Sequence, residues 1–266
     1  MADNLPLYQI DAFTRRLFGG NPAAVVPMDA WLRDEALQAI AAENNLAETA
    51  FVIPSPDVCP LRWFTPTVEV DLCGHATLAA AHVLFRHYFP LRRDLVFDTR
   101  SGPLRVERQG ERLALDFPAR PGQPCEIPAA TAAALRIAPR EALLARDLLV
   151  VLDSEDEVLA FEPDQRRILE LPGFALILSA PGRSSDFVSR FFAPRAGIAE
   201  DPVTGSSHCT LIPYWAARLG RSELFARQVS ARGGELYCEL RGDRVTIAGH
   251  AVEYLRGHID VGAQAL

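Results

Sequence analysis

Leu72-Cys73-Gly74-His75-Ala76-Thr77-Leu78 sets a thiol, a glycine and an imidazole at the mouth of an apolar stretch. Asp201-Pro202-Val203-Thr204-Gly205-Ser206-Ser207-His208 sets a carboxylate, a glycine and hydroxyls at the mouth of another. A buried helix that opens on glycine offers unpaired backbone N–H groups and the positive end of its macrodipole to a carboxylate or oxyanion. The bland alternative is that Gly74 and Gly205 only allow tight packing where the helix begins. The polar residues gathered around both glycines favour function. Glu48 is a second anomaly, because it opens an otherwise apolar strand, Glu48-Thr49-Ala50-Phe51-Val52-Ile53, just after a helix stop. A carboxylate fully buried there without a partner would be costly. It therefore sits at the strand's exposed end, pairs with an arginine, or serves as a general base in an apolar neighbourhood. The residues alone leave these readings open. Glu43, on the preceding helix, reads as solvated.

Cys73, His75, His208 and Cys209 carry zinc-ligating atoms, but C-x-H with H-C is no recognised finger spacing, and no metal is expected. His82 and His87 read as packing or surface residues. There is no Walker-type loop and no dinucleotide-binding glycine fingerprint, so no nucleotide cofactor is expected.

The two glycine motifs belong to a larger repeat. Each follows an aromatic-x-Pro step, Phe64-Thr65-Pro66 and Phe192-Ala193-Pro194, and the offsets are 128 for the Phe and 131 for the Gly. Gly102, Leu104, Glu107, Gly110 and Arg112 recur as Gly234, Leu236, Glu239, Gly242 and Arg244, all 132 residues on. A constant offset near half of 266 residues indicates two copies of one unit rather than a short-repeat solenoid. Residues 1–118 are expected to form the first and 119–266 the second. Facing copies could aim two helix N-termini at one ligand.

With 49% hydrophobic and 23% charged residues, each half can build its own core. A net charge of −7 and a pI near 5.4 argue against a nucleic-acid-binding surface. Met1 to Pro6 shows no leader pattern, and no apolar run approaches the ~20 residues of a membrane span. Five scattered cysteines suit a reducing, cytoplasmic setting better than a disulfide framework.

The elements that must position the motifs are legible from periodicity. Tyr8–Phe13 reads as a strand, Phe18–Pro22 as a turn and Ala23–Val26 as a buried strand. Leu32, Ala36, Leu37, Ile40 and Ala41 have helical spacing, with Asn44 and Asn45 as left-handed stops. Further strands are Glu48–Ile53 and Leu61–Phe64. Gly74 to about Tyr88 is a helix apolar nearly all round, which must lie inside something. Arg105–Phe117 is a hairpin turning at Gly110, and Pro118–Pro128 is the natural linker. The second half has strands at Asp147–Leu152 and Ala175–Ser179, a buried helix from Gly205 to about Leu219, and a hairpin at Val229–Ile247. The strand near Ala251–Leu255 is not placed by the pattern; a return to the first half is open to it.

Gly20-Asn21-Pro22-Ala23-Ala24-Val25, Asn45-Leu46-Ala47-Glu48-Thr49-Ala50-Phe51-Val52, Phe64-Thr65-Pro66 with Cys73-Gly74-His75-Ala76-Thr77-Leu78, and Glu200-Asp201-Pro202-Val203-Thr204-Gly205-Ser206 resemble the PhzF-like phenazine-biosynthesis family over nearly the whole chain. The resemblance implies an α+β, diaminopimelate epimerase-like fold. It has two pseudo-symmetric domains, each a barrel-like sheet around a central helix, with the active site in the cleft. It implies a cofactor-independent isomerase that moves a proton within a small carboxylate-bearing metabolite, with Glu48 as acid/base and His75 and Asp201 beside it. Asn21, Gly74, Gly205 and Ser206 would bind the substrate. A small anionic substrate and a homodimer are the partners implied, with no nucleic acid and no membrane. Racemase relatives use one Cys from each half. Cys73 could supply one, but the second motif offers no matching thiol, since Cys209 lies inside the helix. An epimerase using Cys73 is the alternative, and a non-catalytic metabolite- or protein-binding relative is a third. Cys73 stands where the phenazine enzyme has a small apolar residue, so the fold and the proton-transfer site carry over better than the substrate.

Overall fold

Inward-facing residues alternate or run together along the strands, and the helices between them bury an apolar face, in a computed structural model that describes residues 4–262. Residues 1–3, part of the stretch read for a leader, lie outside the described residues. The chain divides into two units, one ending at Asp116 and completed by the segment from Ala248, the other Phe117–Ile247.

The first unit comprises β1 (Asn4–Ala12), β2 (Asn21–Pro27), α1 (Asp34–Asn44), β3 (Glu48–Val52), β4 (Cys59–Phe64), β5 (Glu69–Val70), α2 (Gly74–Val83), β6 (Asp94–Asp98), β7 (Leu104–Gln109) and most of β8 (Arg112–Pro118). β1 pairs antiparallel with β2, β2 parallel with β3, and β3 antiparallel with β4. A parallel neighbour needs a crossover, and α1 supplies it between β2 and β3. Leu37 and Ala41 of α1 pack with Val26, Phe51 and Phe64. Asn45 ends the helix in the left-handed conformation, φ 49°, its N–H bonded to Ala41 O at 3.2 Å. In α2 every residue except His82 is buried, and the helix packs on β1, β2 and β3. Its last turn widens to a π-turn over Leu84–Tyr88, closed by Phe89 N–H to Leu84 O at 2.7 Å. Phe89 precedes Pro90, which disfavours helical backbone there. The β7–β8 hairpin turns on Gly110 at φ 65°.

The second unit runs β9 (Gln123–Pro124), α3 (Ala129–Ala134), β10 (Glu141–Leu144), β11 (Leu148–Val151), α4 (Glu155–Ala160), α5 (Gln165–Ile168), β12 (Leu176–Pro181), β13 (Phe187–Ala193), β14 (Ile198–Asp201), α6 (His208–Leu219), β15 (Glu223–Gln228), β16 (Gly234–Arg241) and most of β17 (Arg244–Gly249). β11 is parallel to β12, and β13 is parallel to β15 and antiparallel to β12 and β14. The Pro118–Pro128 linker is not all linker: Gln123 and Pro124 pair with Leu144 and Leu143. Leu148, Val150, Val158, Leu176, Leu178 and Phe192 form a core on one side of this sheet. Trp215 of α6 stacks on Phe187 at 5.5 Å, and its indole N–H donates to Ser179 Oγ at 2.9 Å. Pro213 lies inside α6 and has no N–H to give Cys209 O, four residues back. That carbonyl instead accepts the Arg120 N–H, at 2.8 Å, from the segment after β8.

β18 (Ala251–Asp260) follows β17 and pairs antiparallel with β1 from Asn4↔Asp260 to Ala12↔Ala251. Among the described residues no helix is long and apolar enough to cross a membrane.

Candidate active site

The left-handed Asn45 stops α1 three residues before β3, so Glu48 enters the sheet as its first residue, level with Ala23 of β2. Asn44 Nδ2 donates to Thr49 Oγ1 at 3.1 Å and fixes that corner. The rest of β3 is buried, while the Glu48 side chain keeps 12% exposure. His75, the second residue of α2, brings Nε2 to 3.0 Å from Glu48 Oε2, with its side chain only 6% exposed. The two atoms are close but not aligned as a hydrogen bond, and neither has another hydrogen-bond partner. The arginine partner weighed for Glu48 from sequence is thus a histidine.

On the other side of the ring, Nδ1 meets Asn21 Nδ2 at 3.2 Å and Cys73 Sγ at 3.6 Å. Asn21, the first residue of β2 rather than part of a turn, is fully buried. Its amide can donate to Nδ1 of a neutral ring and, after a half-turn, accept from an imidazolium. Burial pushes the His75 ring toward neutrality. The neighbouring Cys73, hydrogen-bonded to Nδ1, and the Glu48 carboxylate close to Nε2 outweigh it and hold the ring's pKa well above the ordinary histidine range. Of the two, Glu48 is the partner that counts at neutral pH. Burial first, and the Glu48 charge second, push the Cys73 thiol up to about 11, so Cys73 stays protonated. Gly74, between them, is the first residue of α2, where the opening N–H groups have no partner within the helix.

In the second unit Asp201 ends β14, buried, and accepts a short hydrogen bond from Thr204 Oγ1 through Oδ2. The helix expected from Gly205 begins at His208 instead. Thr204 O, which would accept the helical N–H of His208, is taken by Ser207 Oγ at 2.8 Å and His208 Nδ1 at 2.9 Å. The first turn therefore tightens. His208 N–H bonds to Gly205 O at 3.0 Å, and Cys209 N–H to Ser206 O at 3.2 Å. Gly205 is buried and Ser206 half-buried in this turn. His208 is fully buried, and burial, partly offset by its bond to Thr204 O, takes it down to about 4. Cys209 is buried within α6, and burial pushes it up to about 11. Within the first unit Glu48, Cys73 and His75 each offer a metal-ligating atom, all within 4.8 Å of one another. This differs from the Cys/His set considered from sequence, and it recruits Glu48.

The family model described as phenazine biosynthesis-like protein (PhzC-PhzF) matches residues 10–257. The chain belongs to that family. An uncharacterised isomerase of Pseudomonas aeruginosa is 55% identical over 258 residues, 96% of this chain and 98% of the relative. The crystal structure of a PhzF-family phenazine biosynthesis protein from Enterococcus faecalis superposes with a TM-score of 0.94 at 46% identity, covering 96% of this chain and 99% of that one. A hydroxyproline epimerase from Agrobacterium vitis shares the fold alone, with a TM-score of 0.65 at 10% identity over 99% and 94% of the two chains. The PhzF-like chain thus has an α+β, epimerase-like fold.

One residue of this PhzF-like chain escapes the motif reading. Gln228, fully buried at the end of β15, accepts the Thr204 N–H at 2.8 Å and donates to Asp201 O at 2.7 Å. It holds the Asp201–Thr204 loop at both ends. The signal was available: Leu224, Ala226 and Gln228 share the inward register of β15, so an amide falls where an apolar residue belongs. Gln228→Ala should lower stability by about 1–3 kcal/mol, because it leaves the buried Thr204 N–H without its acceptor. An unchanged urea midpoint would show that the loop holds itself.

Proposed function

We propose that the chain is an isomerase that moves a proton within a small carboxylate-bearing metabolite, without a metal or organic cofactor. The observation that carries this is the 3.0 Å approach of Glu48 to His75 at the opening turn of a buried helix. Glu48 removes a proton from carbon next to a carbonyl or conjugated group, and the electron pair shifts into the conjugated system. The proton then returns to a different carbon. His75 holds the carboxylate in place, Asn21 steadies the ring, and the opening N–H groups at Gly74 stabilise the developing anion. Asp201, Gly205 and Ser206 are assigned to the same chemistry on their motif. The isomerase names of the relatives support the reaction class.

The test is a thermal-shift screen of small carboxylates followed by NMR in deuterated solvent. A ligand at a hundred times its dissociation constant adds about 2.7 kcal/mol and is easily seen. The reading expects at least one stabilising carboxylate to gain deuterium at a single carbon. Stabilising ligands that never exchange would point to a binding protein.

The 3.6 Å contact of Cys73 with His75 favours one other reading, an epimerase in which the thiol carries a proton. Cys73→Ala separates the two. The isomerase reading expects most activity to survive, at a modest packing cost, since the family's second thiol has no counterpart in the Asp201 motif. A loss as deep as that of the general base would favour the epimerase.

A further inference from the structure

We propose that Glu48, Cys73 and His75 also form a binding site for a thiophilic divalent cation of the zinc class, whose occupancy shuts off proton transfer. Three observations carry it. The donor set is a thiol, an imidazole and a carboxylate, the mixture that holds zinc with three protein ligands and an open fourth position. One ligating atom from each of the three residues lies within 4.8 Å of the other two, and His75 Nε2 and Glu48 Oε2 are 3.0 Å apart. Tetrahedral zinc with bonds of ~2.0–2.3 Å sets its ligand atoms about 3.3–3.6 Å apart. The Cys73 thiol lies on the Nδ1 side of the ring, 3.6 Å away, and has to close in for one cation to take all three ligands. Finally, Glu48 Oε2 and His75 Nε2 are buried atoms without a hydrogen bond, 3.0 Å apart, and the His75 side chain is only 6% exposed. A cation between them would satisfy both.

The consequence is mutual exclusion. A carboxylate oxygen bound to the cation is no longer available to take a proton from carbon. The cation here is an inhibitor, and the substrate chemistry has no use for it. The inhibitory half of the proposal rests on Glu48 being the general base; the binding half does not.

EDTA-treated full-length protein titrated with cobalt(II) should saturate at one equivalent and develop a near-ultraviolet sulfur-to-cobalt band with visible bands of a tetrahedral site. Zinc(II) should displace the cobalt and erase both. Cys73→Ser, chosen because it keeps shape, should lose the near-ultraviolet band while melting as a folded protein. His75→Ala and Glu48→Gln should each weaken cobalt binding roughly tenfold or more. One equivalent of zinc should stop deuterium exchange in the wild-type protein, and EDTA should restore it. No sulfur band at millimolar cobalt, or a band undiminished in Cys73→Ser, would overturn the proposal. Exchange that persists in Glu48→Gln would instead sink the base assignment and leave the cobalt result standing.

Discussion

Glu48→Gln is expected to lower deuterium incorporation into a bound carboxylate by roughly 10²–10⁴-fold, the contribution usual for a positioned acid/base, while the ligand still binds. Gln keeps the volume of the side chain at the start of β3, and its amide oxygen can still face His75 Nε2. It cannot accept a proton from carbon. The remainder of β3 is buried and paired on both sides with β2 and β4, so the fold should survive. Ligand binding measured by thermal shift controls for a collapsed site. Undiminished exchange in this variant would move the role of base elsewhere, with Asp201 the next candidate.

Stability is expected to fall steeply on the acid side of neutrality. His208 and His82 are both pushed down to about 4, in each case chiefly by burial, with the Arg86 charge adding to it at His82. A histidine whose folded value lies below its unfolded value of ~6.5 is protonated first in the unfolded chain. It therefore withdraws stability as pH drops from 6.5 toward 4. At pH 5 that amounts to roughly 2 kcal/mol for His208, and somewhat less for His82, which retains some exposure. The His75 ring, whose folded value is raised, is protonated in both states below 6.5 and adds nothing to this slope. Urea unfolding at pH 5 and pH 6.5 reads the effect. In His208→Asn, whose amide can still donate to Thr204 O, the slope should shrink by up to about 1.4 kcal/mol per pH unit. An identical slope in the variant would mean that other groups drive the acid sensitivity.

What could be read from the sequence was whatever short-range pattern decides. Asn45 at a helix end, the apolar run after Gly74 and the Gly110 turn are each settled within a few residues, and Glu48 stood out because it interrupted such a pattern. His75 facing Glu48 was legible only through the family motif, since 27 residues separate them. Gln228 was missed because its partners lie 24 and 27 residues away. The start of α6 slipped from Gly205 to His208 because two side chains compete for one carbonyl, a contest that spacing does not record. β9 hid in a proline- and glycine-rich stretch because a two-residue strand has no period to show.

The return of β18 to β1 gives the molecule an order of assembly. All of the second unit, Phe117–Ile247, leaves the ribosome before the strand that completes the first, and domains generally fold as they emerge. The part of the chain made first is therefore finished last, after the inserted unit has been synthesised. Until then one edge of β1 is open along its whole length to any passing strand. Nascent chains stalled before Ala251 should be the species most prone to aggregate during synthesis.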